Sequence, residues 1–201
     1  MVAAAVTGLV LGFGAGFADS VPLMLSEVGE ARADRSGWSQ AAEFVSLILD
    51  SGWAWAATAV LAGFLAGRGR RPVVGALAGF VALSIATIAF YLVEGLFADS
   101  WDGWWYQTEF WLLRALVLGM PLGAVGVLAR RGGIAGALAA LVVPAGAVLN
   151  LIVLPLPAES RMAAPVAVTV WTGAIAGVVL IALRLVRERT RPVSAVGAAR
   201  S

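Results

Sequence analysis

The chain has 201 residues, 61% of them hydrophobic and 13% charged, with a mean hydropathy of +0.91. A soluble domain of this length cannot hide so much apolar surface, so composition places the chain in a bilayer. It contains no Cys, no His and no Lys, which excludes disulfides, thiolate and imidazole metal sites, cysteine nucleophiles and histidine bases, and leaves carboxylates, Tyr and Arg for acid–base work.

The apolar pattern predicts an all-α, polytopic membrane protein with six transmembrane helices. The spans are read at about 1–18, 41–66, 72–94, 108–129, 133–155 and 163–186, each near the roughly 20 residues that cross a hydrocarbon core. The first is read as a retained helix, because no basic region and small-residue cleavage pattern marks it as a signal peptide. Gly8, Gly12 and Gly16 line one of its faces, as do Gly75 and Gly79, Gly119 and Gly123, and Gly173 and Gly177 on later spans. Small residues at this spacing let helices approach closely in lipid. The segment 19–40 holds an apolar patch, VPLML, and a charged run ending at Trp38. It is read either as a lid over a cavity or as an ordinary interfacial segment. Pro121 and Pro144 fall inside the fourth and fifth spans, where proline kinks a helix or widens a cavity. Residues 1–189 form a single six-helix domain in this reading, and 190–201 a disordered cytoplasmic tail.

Charge sets the orientation. Arg68, Arg70 and Arg71, then Arg130 and Arg131, then Arg184, Arg187, Arg189 and Arg191 recur at every second span boundary. Basic loops stay cytoplasmic, which puts both termini there. The basic residues fall between spans, so the net charge of +2 is read as topology and no nucleic-acid partner is expected.

The opposite ends of the spans are acidic and aromatic. Glu43, Ser46, Asp50, Trp53 and Thr58 fall near one stripe of the second span, allowing for the drift of a 3.6-residue period. Glu94 shares a face with Phe90 and Tyr91. The following stretch, FADSWDGWWYQTEFW, carries Asp99, Asp102, Glu109, Trp101, Trp104, Trp105, Tyr106, Phe110 and Trp111. Arg114 lies one turn deeper, and Asn150 near the end of the fifth span. Interfacial belts also collect Trp and Tyr, and Asp50 and Glu94 paired with Arg114 would serve as scaffold. Asp99 and Asp102 also suit loop solvation or capping, and Asn150 an interhelical hydrogen bond.

A functional reading starts from desolvation. A carboxyl group in an apolar pocket resists ionisation and, held protonated, delivers a proton. Aromatic faces stabilise a cation. An acid among rings therefore suits proton-initiated carbocation chemistry on an isoprenoid olefin. No DDxxD-type metal motif is present to ionise a diphosphate, and neither a metal nor a cofactor is expected.

The short six-span plan, the outer-end carboxylates and the Trp-rich segment resemble the small actinobacterial integral-membrane terpene cyclases of indole-terpenoid pathways. That resemblance spans roughly residues 40–155. It implies a lipophilic prenylated substrate and a membrane-embedded acid at Asp50 or Glu94, with Glu43 and Asp102 as secondary candidates. Trp53, Phe90, Tyr91, Trp101, Trp104, Trp105, Tyr106, Glu109, Phe110, Trp111, Arg114 and Asn150 are the expected substrate contacts. The same features also resemble the substrate-binding component of energy-coupling-factor vitamin transporters. In that reading Trp, Glu and Asn hold a vitamin, and MVAAAVTG meets a coupling subunit. A third reading is an inert structural network.

Overall fold

The computed structural model describes residues 1–67, 71–98 and 101–190. Arg68, Arg70, Asp99, Arg191 and the segment after Thr190 lie outside the described residues. Seven helices follow in order among the described residues: α1 (Val2–Met24), α2 (Gly37–Leu49), α3 (Gly52–Ala66), α4 (Pro72–Ala98), α5 (Trp104–Ala129), α6 (Gly133–Val153) and α7 (Ala163–Thr190). Five of them are long and apolar enough to cross a membrane alone, and α2 with α3, bent by 57°, passes the same test as a pair, giving six crossings if that pair is one broken span. The chain is an all-α, multi-pass membrane protein.

The second span is therefore not the continuous helix expected from its apolar run. Its break is written in Asp50-Ser51-Gly52. The Asp50 N–H still bonds Ser46 O at 2.8 Å, closing α2. The Ser51 hydroxyl donates to Ile48 O at 2.6 Å and accepts the Ala54 N–H at 3.4 Å, ending one helix and starting the next. A serine that serves the backbone in this way competes with the helix it interrupts. The first helix also differs from expectation. It runs on to Met24 through Pro22, so much of the VPLML patch is helical rather than loop. The remaining strap carries a single 3-10 turn, Arg32–Asp34.

Backbone contact at glycine holds the bundle together. A methyl group at Gly8 would overlap the Ala82 carbonyl, and one at Gly12 the Ala86 carbonyl, so α1 lies directly on α4. Gly63 of α3, Gly75 and Gly79 of α4, and Gly119 and Gly123 of α5 meet in the same way. Such crossings trade side-chain packing for close main-chain van der Waals contact, which drives association in lipid. Gly173 and Gly177 do not repeat the pattern. Nothing lies near a methyl at Gly173, and Gly177 meets only Pro144, at 3.7 Å.

Helices α6 and α7 are peripheral, and α7 is fastened at its arginine-rich end. Arg184 donates to the carbonyls of Ala129 at 2.8 Å and Arg131 at 2.9 Å, satisfying groups left open where α5 ends. Glu188 accepts the Gly133 N–H at 2.7 Å where α6 begins. At the tryptophan-rich end, Arg32 of the strap pairs with the buried Glu43 of α2 at 2.8 Å and reaches Glu159, before α7, at 3.7 Å.

Candidate functional site

The glycine crossing clamps α3, α4 and α5 together towards the arginine-rich end. Beyond it the same helices carry Trp55, Phe90, Tyr91, Trp111 and Arg114, which are too large for backbone contact. A cavity of about 240 Å³ opens between them. Its floor is the packed cluster of Ala59, Leu83 and Ala115, with Leu122 against it. Leu83 and Tyr91 bound its α4 wall, about 12 Å apart at 1.5 Å per residue, and Trp111 and Leu122 its α5 wall, about 16 Å apart. The lining thus extends along the helix axes and is mostly apolar, with Thr87 midway along α4 and the charged groups near one end.

That end gathers the chemistry. Asp50, at the break of the second span, lines the cavity together with Trp55, whose indole lies near its carboxylate. The rings form a connected series across three helices. Trp55 meets Phe90 edge-on at 6.4 Å, and Phe90 meets Tyr91 at 5.3 Å. The Trp111 N–H in turn faces the Tyr91 hydroxyl. The Arg114 guanidinium lies over the Phe110 ring at 3.2 Å and donates to the Phe110 carbonyl at 3.1 Å. Among the described residues no ion pair joins Arg114 to Asp50 or Glu94, so the alternative in which these groups pair as scaffold is not seen.

The expected site residues divide into two groups. Asp50, Phe90, Tyr91, Trp111 and Arg114 converge on the cavity. Trp53 does not. The break rotates α3 relative to α2, so Trp53 packs instead beside Ala147, Val166 and Val170. Glu94 is exposed and outside the lining, although within electrostatic reach of Asp50 and Tyr91. Glu43 is buried in its pair with Arg32. Asn150 places its Oδ1 beside Gly52, behind the cavity wall.

Trp101 covers Gly95 and meets Trp104 at 6.1 Å. Asp102 lies exposed in the turn before α5, and Trp105, Tyr106, Glu109 and Phe110 are exposed along its first turns. These positions suit a membrane-interface belt. Reading the second span as one helix missed Trp55, and Thr87 was not singled out at all, yet both line the cavity. The Asp-Ser-Gly triplet was the signal for the first; nothing local marks the second. Among the described residues no three acidic side chains lie close enough to hold a metal ion.

No family model, no curated protein and no solved structure matches the chain.

Proposed function

We propose that the cavity binds an elongated lipophilic molecule and that Asp50 protonates it, starting a terpene-type cyclisation. One observation carries this reading: Asp50 is the only carboxylate among the described residues lining the cavity, and it stands at the end where four rings meet. In the first step the π pair of an alkene forms a C–H bond with the carboxyl proton, and the O–H pair stays on Asp50. A second alkene closes the ring onto the resulting cation. Loss of a proton to the carboxylate restores the acid. The faces of Trp55, Phe90, Tyr91 and Trp111 offset the developing positive charge.

Access from the bilayer fits the same reading. Leu118 sits midway along α5, lines the cavity and is 52% exposed, so substrate enters sideways at hydrocarbon depth. The arginine-rich end faces the cytoplasm with both termini, in accord with the charge asymmetry. Vitamin capture with a coupling subunit finds less support, because Asn150 and Glu94 lie outside the lining and the charged groups sit near one end only.

The test is turnover of a panel of prenylated indoles by protein purified in mild detergent. General-acid catalysis contributes about 10²–10⁴-fold, so Asp50→Asn is expected to lose at least about 10²-fold. Glu94→Gln is expected to lose less than about 10-fold, since it acts only through space. Asp50→Asn turning over like wild type sinks the assigned acid. No product from any panel member sinks the cyclase reading.

A further inference from the structure

Within this cavity, we infer a binding site for single-chain amphiphiles with a cationic ammonium head. The head sits between Asp50 and the ring series of Trp55, Phe90, Tyr91 and Trp111, and the chain lies along Leu83, Leu118 and Leu122.

The charge balance favours a cation. Asp50 faces the cavity directly, and Asp19 and Glu94 lie within its electrostatic reach. Asp19 is placed there by its hydrogen bond from Ser46, one turn before Asp50 on α2. The lining itself holds one carboxylate, Asp50; Asp19 and Glu94 lie outside it, Asp19 also within reach of Arg32, and the lining carries one guanidinium, Arg114. That guanidinium is already committed to the faces of Phe110 at 3.2 Å and Trp111 at 5.4 Å. Rings from α3, α4 and α5 wall the rest of that end, and aromatic faces with a nearby carboxylate are the usual recognition for an ammonium group. The shape favours a single chain. About 240 Å³ is below the range of about 300–1,000 Å³ for drug-sized ligands, too small for a two-chain lipid, yet the α5 wall runs some 16 Å.

This inference shares the cavity with the proposed cyclisation but does not need catalysis. An ammonium amphiphile would match the charge state just after proton transfer, when a carboxylate faces a cation.

The test uses the full chain in neutral phosphatidylcholine nanodiscs, with empty discs correcting for partitioning. Decyltrimethylammonium, decanol and decanoate are titrated, and binding is read from Trp fluorescence and calorimetry. The ammonium is expected to bind at least about 10-fold more tightly than decanol or decanoate. Asp50→Asn is expected to weaken the ammonium at least about 10-fold. Arg114→Gln, which removes the like charge, is expected to tighten it about 3-fold and stands as the second variant if Asp50→Asn misfolds. Decanoate binding as tightly as the ammonium, unchanged ammonium affinity in folded Asp50→Asn, or weaker ammonium binding in Arg114→Gln overturns the inference. Ammonium binding without turnover leaves it standing while the cyclase reading falls; turnover without ammonium selectivity does the reverse.

Discussion

Gly123→Ala adds one methyl group where three helices meet. That carbon would overlap the Gly75 carbonyl oxygen and lie 2.9 Å from the Gly79 Cα. Backbone atoms cannot rotate away as a side chain can, so α4 must retreat by about 1 Å to restore an ordinary contact. Overpacking of this kind costs about 1–3 kcal/mol. Replacing a helical glycine with alanine returns about 0.5–1 kcal/mol. The net loss lies between about 0 and 2.5 kcal/mol, centred on about 1 kcal/mol, or about 2–4 °C in unfolding temperature for a chain of this size. Gly173→Ala makes the same chemical change where no atom lies within 4 Å, so only the helix gain of about 0.5–1 kcal/mol remains. Thermal unfolding of both variants in one detergent separates the two. If Gly123→Ala unfolds at or above the wild-type temperature, backbone contact is not what holds α4 to α5.

Arg32→Ala leaves the Glu43 carboxylate buried without its partner. Arg32 keeps 39% of its side-chain surface, so the loss is set at about 1–3 kcal/mol, below that of a fully buried pair, and is read by the same thermal assay. Trp55→Phe is expected to remove part of the fluorescence response to a cavity ligand, with Trp111 supplying the rest, whereas Trp53→Phe leaves it whole, because of the two exchanged rings Trp55 alone lines the cavity. Equal responses in the two would misplace the site.

Glu27 lies in the strap outside the spans, where the nearby hydroxyls of Ser39 and Ser36 hold its carboxyl below the ordinary value of 4.5; the hydrogen bond that meets geometric criteria comes from the Ser36 N–H at 3.3 Å, and the Ser39 hydroxyl acts by proximity. A depressed carboxylate adds stability that is full above 4.5 and fades as pH falls through its lowered value. Carbon-detected NMR titration is expected to find its midpoint below 4.5 and, in Ser39→Ala, to find it shifted back upwards.

Composition alone fixed the membrane class, because hydropathy averages over many residues and tolerates local error. The glycine faces of α1, α4 and α5 were also legible, since a four-residue spacing maps onto one side of any helix. The bend was not. Its one local mark is Asp50-Ser51-Gly52, and the apolar stretches on both sides are rich enough that their average still reads as a single span. Carrying the helical phase through the bend put Trp53 on the stripe and Trp55 off it, the reverse of what the fold does. The aromatic segment failed for another reason. One-dimensional clustering brought eight candidate residues together, but only Trp111 and Arg114 among Trp101, Trp104, Trp105, Tyr106, Glu109, Phe110, Trp111 and Arg114 reach the cavity. The others occupy other sides of the same helix or the turn before it.

Arg184 and Glu188 have a bearing on biosynthesis. Helix α7 contributes little buried surface, yet one turn near its end grips both sides of the junction between α5 and α6. A ribosome delivers that turn only after α1 to α6 have been made. Until it forms, little buried surface holds α7, and once formed it ties α7 to the hairpin of α5 and α6.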